Sequence, residues 1–185
     1  MIKKIVEQFK LEINYKEGSR VYAIFDGVKS PFLWIDLEDG VFHYDMLFTE
    51  EKRRKELFEV APYLVELNFE EGSLDESKKL LARYGENGTI FFVTSLSFED
   101  SLEKMREIFY IDSKEGEEGY FRFYSPLIFI ELIKQNNYKM VTNVFNNINA
   151  YFMEDIENNN ELMKYWLEDK NIYQKQLTKG VMDEK

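Results

Sequence analysis

Two short runs, Val21-Tyr-Ala-Ile-Phe25 and Thr89-Ile-Phe-Phe-Val-Thr94, are apolar at almost every consecutive position. As strands they turn large side chains to both sides at once, so any fold that holds them must cover both faces of a sheet. Flanking segments supply the cover. Ile2, Ile5, Val6, Phe9 and Ile13 recur at helical spacing before Gly18-Ser19. Ser73-Leu-Asp-Glu76 reads as a capping box opening a helix through Ala82 that Gly85 ends, and Ser97-Phe-Glu-Asp100 caps a second helix with Leu102, Met105 and Phe109 on one face. Ser125-Pro126 is an N-cap with proline at the first helical position of a helix to Lys134.

Ala61–Leu67 reads as a third strand, with Pro62 at its start where no ladder donor is needed. Thr49 caps a helix over Glu50–Phe58, Phe32–Leu37 fits either a helical turn or a strand, Tyr120–Tyr124 fits a strand, and Val141, Val144, Phe145 and Ile148 form a further helical stripe. After Glu154 the chain becomes polar through Asn158–Asn160, then carries Leu162, Trp166, Tyr173 and Leu177 on what reads as one helical face. The alternation predicts an α/β fold with a mainly parallel or mixed sheet flanked by helices. Residues 1–155 form its single domain, and 156–185 a linker and helical C-terminal extension.

The 185 residues hold 24 Lys and Arg against 35 Asp and Glu, a net charge of −11. Such a field repels phosphate backbones and anionic headgroups, so neither nucleic acid nor a membrane surface is expected as a partner. No apolar run approaches the roughly 18–20 residues that span a bilayer. Glu7, Gln8 and Lys10 break the apolar stretch that a secretory leader needs, so a cytoplasmic protein is expected. With no Cys and one His, disulfides, thiolate nucleophiles and paired-histidine metal sites are out of reach, and no cofactor is expected. Aromatic residues, by contrast, make up 16% of the chain, which favours large contact surfaces over acid–base chemistry.

The remaining polar candidates are few. Asp26-Gly27 closes a strand where open sheets bind ligands, yet neither a dinucleotide fingerprint nor a phosphate loop follows it, and a plain turn with Asp capping neighbouring backbone is the stronger reading. His43 lies between Asp39 and Asp45, either of which could orient it as a base, but a lone His without a nearby Ser or Cys motif reads first as a surface or hydrogen-bonded turn residue. The acids Glu70-Glu71, Glu115, Glu117-Glu118 and Asp155–Glu161 lack the ladder of a calcium loop. Lys52–Lys55 reads as an exposed basic helical face. Arg122 interrupts the run Tyr120–Tyr124; on a strand it shares a face with those two tyrosines, and a carboxylate partner is expected, Asp26 first.

An ordered set of segments resembles a known family: Val21-Tyr-Ala-Ile-Phe-Asp-Gly27, Met46-Leu-Phe48, Ala61-Pro-Tyr-Leu-Val-Glu-Leu67, Thr94-Ser95 and Phe121-Arg-Phe-Tyr-Ser-Pro126. In order and spacing it is similar to the type VI secretion effector adaptors, or effector chaperones, over about residues 20 to 150. The family usually has Asp before that last Pro and often a basic residue after it, where this chain has Ser125 and Leu127. The resemblance implies a non-enzymatic protein that binds a toxic effector in the producing bacterium and helps load it onto the spike protein VgrG. It marks Asp26, Gly27, Pro62, Arg122 and Pro126 as motif positions of structural weight.

Two alternatives remain, an immunity-type protein that binds a toxin and a small hydrolase built on Asp26, Asp36 or Asp45. The segment after Glu154 is expected to serve partner recognition more than the fold, with Leu162, Tyr165, Trp166 and Tyr173 as contact residues and Trp166 as the anchor; the alternative is that its apolar face docks back onto its own domain.

Overall fold

The two apolar runs lie side by side at the middle of one sheet, and they run antiparallel. In a computed structural model, residues 2–15, 17–52, 55–70, 73–85, 87–112, 118–135, 137–157 and 161–177 are described. In chain order the elements are α1 (Ile2–Tyr15), β1 (Arg20–Asp26), α2 (Leu33–Asp39), β2 (Tyr44–Met46), β3 (Pro62–Leu67), α3 (Leu74–Leu81), β4 (Thr89–Thr94), α4 (Phe98–Phe109), β5 (Tyr110–Asp112), β6 (Glu118–Tyr120), α5 (Pro126–Lys134), α6 (Tyr138–Phe145), β7 (Ile148–Glu154), β8 (Leu162–Glu168) and β9 (Asn171–Leu177). Seven strands form the sheet in the order β2-β3-β1-β4-β7-β8-β9, and β5 and β6 form a separate hairpin.

Every neighbouring pair is antiparallel, which corrects the expectation of a mainly parallel or mixed sheet. Continuous apolar strands are the mark of a sheet covered on both faces, and that cover does not require parallel strands. On one face Ala23, Phe91 and Phe152 line up across β1, β4 and β7, and Phe9 of α1 sets its ring 5.2 Å from both phenylalanines. On the other, Tyr22, Phe92, Tyr151 and Tyr165 line up. Phe98 of α4, Phe129 of α5 and Phe145 of α6 pack over that row, with Phe129 5.0 Å from Tyr151 and 5.9 Å from Tyr165. Burying a large apolar side chain such as Phe contributes roughly 1.5–3 kcal/mol, so both rows add substantially to cohesion.

The C-terminal helix is the second correction. Residues 162–177 are the hairpin β8–β9, continuing the sheet, and its two-residue loop places Asp169 and Lys170 at φ +47° and +66°. Both central residues at positive φ make the turn whose twist matches antiparallel strands. The stripe Val141–Ile148 divides likewise: α6 ends, Asn147 turns the chain at φ +63°, and Ile148 begins β7. Phe32–Leu37 resolves as the start of α2, and Glu50–Phe58 holds two short 3-10 turns, Glu50–Lys52 and Lys55–Leu57. Tyr120–Tyr124 leaves the strand after Tyr120: Phe123 N donates to Phe121 O (2.8 Å) and Ser125 N to Arg122 O (3.0 Å), a tight turn that removes the shared face expected for Arg122. Arg53, Arg54, Glu71, Glu115, Glu117 and Asn158–Asn160 lie outside the described residues.

Candidate functional site

Four motif positions meet at one end of the sheet. Asp26 and Pro62 are cross-strand partners, and Gly27 N donates to Ala61 O (3.0 Å). A Cβ on Gly27 would stand 2.5 Å from that carbonyl, so only glycine permits the approach of the two chains. Asp26 is buried; its Oδ1 accepts from Val28 N (3.1 Å) and its Oδ2 pairs with the Arg122 guanidinium, which reaches in from the turn before α5. Arg122 in turn lies over the Tyr124 ring, 5.9 Å from its centroid. Burial first, then the Asp26 charge, push the Tyr124 phenol up to about 12. Pro126, also buried, starts α5, although the Ser125 side chain makes no cap bond there.

Beside this corner, Leu47 N donates to Pro62 O (2.9 Å), and Arg106 of α4 gathers the chain after β2. Its Nη2 donates to Met46 O (2.7 Å), Phe48 O (3.2 Å) and Asp45 Oδ2 (3.2 Å), and its Nε to Leu47 O (3.3 Å). Arg106 thus explains the Met46–Phe48 segment, and nothing in its sequence neighbourhood marked it. Thr94 has a comparable role, donating to Asn147 O (2.6 Å) and accepting from Leu96 N (3.1 Å).

The carboxylates considered for hydrolysis are all engaged in bonds to the protein itself. Asp36 pairs with Arg83, which also donates to Pro31 O (3.0 Å); Asp45 accepts from Met46 N (2.8 Å) as well as Arg106. His43 does not use Asp39 or Asp45. Its ring stacks on Phe98 at 3.7 Å, with Nδ1 3.2 Å from Glu66 and Nε2 3.8 Å from Glu99, and Glu66 is shared with Arg20 at 3.1 Å. Lys52 sits 4.6 Å above the Tyr110 ring. Among the described residues no three His, Asp or Glu side chains are grouped so as to hold a metal ion, and no helix is long and apolar enough to cross a membrane.

The C-terminal candidates split between the two faces of β8. Tyr165 turns into the core under Phe129, while burial pushes its phenol up to about 12. Leu162 is also buried, at the end of β8 paired with β7. Trp166 turns to the opposite face, where its ring stacks on Tyr173 of β9 at 5.6 Å and 19°. Lys164 lies between Trp166 and Phe152, 5.5 and 5.8 Å from their rings, and pairs with Glu12 of α1 at 2.6 Å. This face borders an open cleft of about 690 Å³ lined by Leu11, Glu12, Val93, Asn149, Lys164 and Trp166.

Compared with protein families, residues 21–139, more than half of the chain, match the domain of unknown function DUF4123. The chain belongs to the DUF4123 family. No curated protein and no solved structure matches it. The DUF4123 match runs from β1 into α6 and therefore takes in the Asp26–Arg122 corner, the Arg106 contacts and α4 and α5, while β7, β8 and β9 follow it. Within the DUF4123 stretch the motif residues serve the packing of the sheet end. The Trp166–Tyr173 face stands outside it.

Proposed function

We propose that this DUF4123 protein is a non-enzymatic cytoplasmic adaptor that binds a type VI secretion effector and helps load it onto the VgrG spike. The observation that carries this reading is the use of the motif segments: Asp26 pairs with Arg122 and stands opposite Pro62, and Gly27 N donates to Ala61 O, so these residues bond to the protein itself, as a scaffold for presenting surface would require. Asp26, Asp36 and Asp45, the acids a hydrolase would need, are held by Arg122, Arg83 and Arg106. Exposed aromatic and aliphatic side chains such as Tyr173, Leu11 and Phe32 supply contact area of the kind that protein partners bury.

Affinity capture of the tagged full chain from the producing bacterium, followed by mass spectrometry, tests the reading. Recovery of a spike or effector protein whose gene lies beside this one is expected. Recovery of a toxin alone, encoded just upstream, would favour the immunity reading. A hydrolytic activity lost in Asp45→Asn without loss of fold would overturn both.

A further inference from the structure

The two edges of the sheet are not alike. β2 is three residues long, and the carbonyls of Met46, Leu47 and Phe48 at its end are taken up by Arg106. β9 is seven residues long and pairs with β8 without a break from Leu162 opposite Leu177 to Glu168 opposite Asn171. It has no proline, glycine or bulge, and five of its seven residues are exposed. On its outer side every second residue turns a backbone N–H and C=O away from the sheet, and among the described residues no strand pairs with them.

The side chains beside that edge select what can add to it. Lys164 and Lys175 are cross-strand partners, and like charges placed opposite one another are unfavourable. Glu12 neutralises Lys164, whereas among the described residues Lys175 has no carboxylate within ion-pair distance. Two residues along on the same face, Tyr173 stacks on Trp166 and leaves its outer side open, 42% exposed. A second copy of the chain fits badly: β9, Asn171-Ile-Tyr-Gln-Lys-Gln-Leu177, contains no acid to meet Lys175, and two bodies of charge −11 repel.

We propose that the outer edge of β9 docks an extended segment of a protein partner, which adds as an eighth strand and sets a carboxylate side chain opposite Lys175 and an aromatic or β-branched one opposite Tyr173. The backbone supplies attachment, and Lys175 with Tyr173 supplies selection. This rests on the adaptor reading only in assuming that a protein partner exists.

The test uses the full chain and two blocked heptapeptides, acetyl-Thr-Val-Tyr-Thr-Glu-Thr-Val-amide and its counterpart with Lys in place of Glu, with binding and amide hydrogen exchange read by NMR. The Glu peptide is expected to slow exchange at alternate residues of β9 and to bind about fivefold more tightly than the Lys peptide, the swing between an attractive and a repulsive exposed pair. The exposed substitution Lys175→Glu is expected to reverse that order. The proposal is overturned by unchanged exchange along β9, by equal affinity for the two peptides, or by β9 protection that grows with protein concentration alone, which would assign the edge to a second copy. Failure to capture any secretion protein, with the peptide result intact, would remove the adaptor reading and leave the edge. A captured complex whose β9 amides stay unprotected would remove the edge alone.

Discussion

Arg122 closes over Asp26 from outside: its side chain is 51% exposed, whereas that of the carboxylate it holds is 3% exposed. The two residues are 96 positions apart in the chain, so the contact ties the end of β1 to the start of α5. Half-solvation of the arginine weakens the pair relative to a fully buried one, for which losing one partner costs about 3–5 kcal/mol. Arg122→Ala leaves Asp26 buried with Val28 N, and a loss of about 1–3 kcal/mol is expected. The double variant Asp26→Ala/Arg122→Ala should lose less than the two single losses added together. Urea unfolding of the three variants checks this; strictly additive losses would show that the residues act independently.

Gly27 is expected to be intolerant of a side chain. With Ala61 O 2.5 Å from the position its Cβ would take, Gly27→Ala should cost about 1–3 kcal/mol through displaced backbone. At Gly119 the nearest neighbour, Ile111, stands at 3.5 Å, so Gly119→Ala should be nearly neutral. Equal melting temperatures for the two variants would refute the close-approach argument.

Tyr165 and Trp166 are adjacent in β8 but face opposite ways. Tyr165→Ala opens a cavity under Phe129 and should cost about 3–5 kcal/mol, and Trp166→Ala markedly less, since its stacking partner Tyr173 is itself on the surface. Truncation after Asp155 would strip β8 and β9 from β7 and bare the Tyr151–Phe152 edge, so aggregation is expected. A monomeric, fully melting truncated chain would contradict the seven-stranded sheet.

Alkaline pH should unfold the protein cooperatively. Burial pushes the Tyr22, Tyr124 and Tyr165 phenols from 10 up to about 12, and raises Tyr84 and Tyr151 as well. The folded state therefore holds these protons more tightly than the unfolded chain; the stability this brings is complete below pH 10 and is lost as pH rises toward 12. Each group moved to about 12 withdraws about 2–3 kcal/mol, and several together rival the roughly 5–15 kcal/mol of a typical domain. Tyrosinate absorbance and circular dichroism should change together in that window. Smooth tyrosine ionisation with the dichroism unaltered would contradict the buried row.

Much of the core was legible because its signals are local. Ser97 caps α4 by accepting from Asp100 N (3.1 Å), as its spacing predicts, and the runs that became β1, β3 and β4 could be read from composition alone. Strand direction could not, since side chains at successive positions look the same in parallel and antiparallel sheets that are covered twice. The C-terminal hairpin resembles a helix in sequence for a geometric reason: Leu162 and Trp166 share a face at a separation of four in a helix and equally in a strand, as do Tyr173 and Leu177. Its turn, Asp169-Lys170, lacks the Asn-Gly or Asp-Gly pair that usually betrays such a bend. Arg106 and the shared Glu66 were invisible because their partners lie 23 to 61 residues away.

The proposed adaptor role is checked by co-expressing the full chain with the product of each gene that neighbours its own, followed by chromatography with light scattering. An adaptor is expected to co-elute with one of these products in a peak whose mass is the sum of both proteins, carrying no hydrolytic activity that the partner lacks by itself. Separate elution of this chain from every such product would contradict the adaptor role.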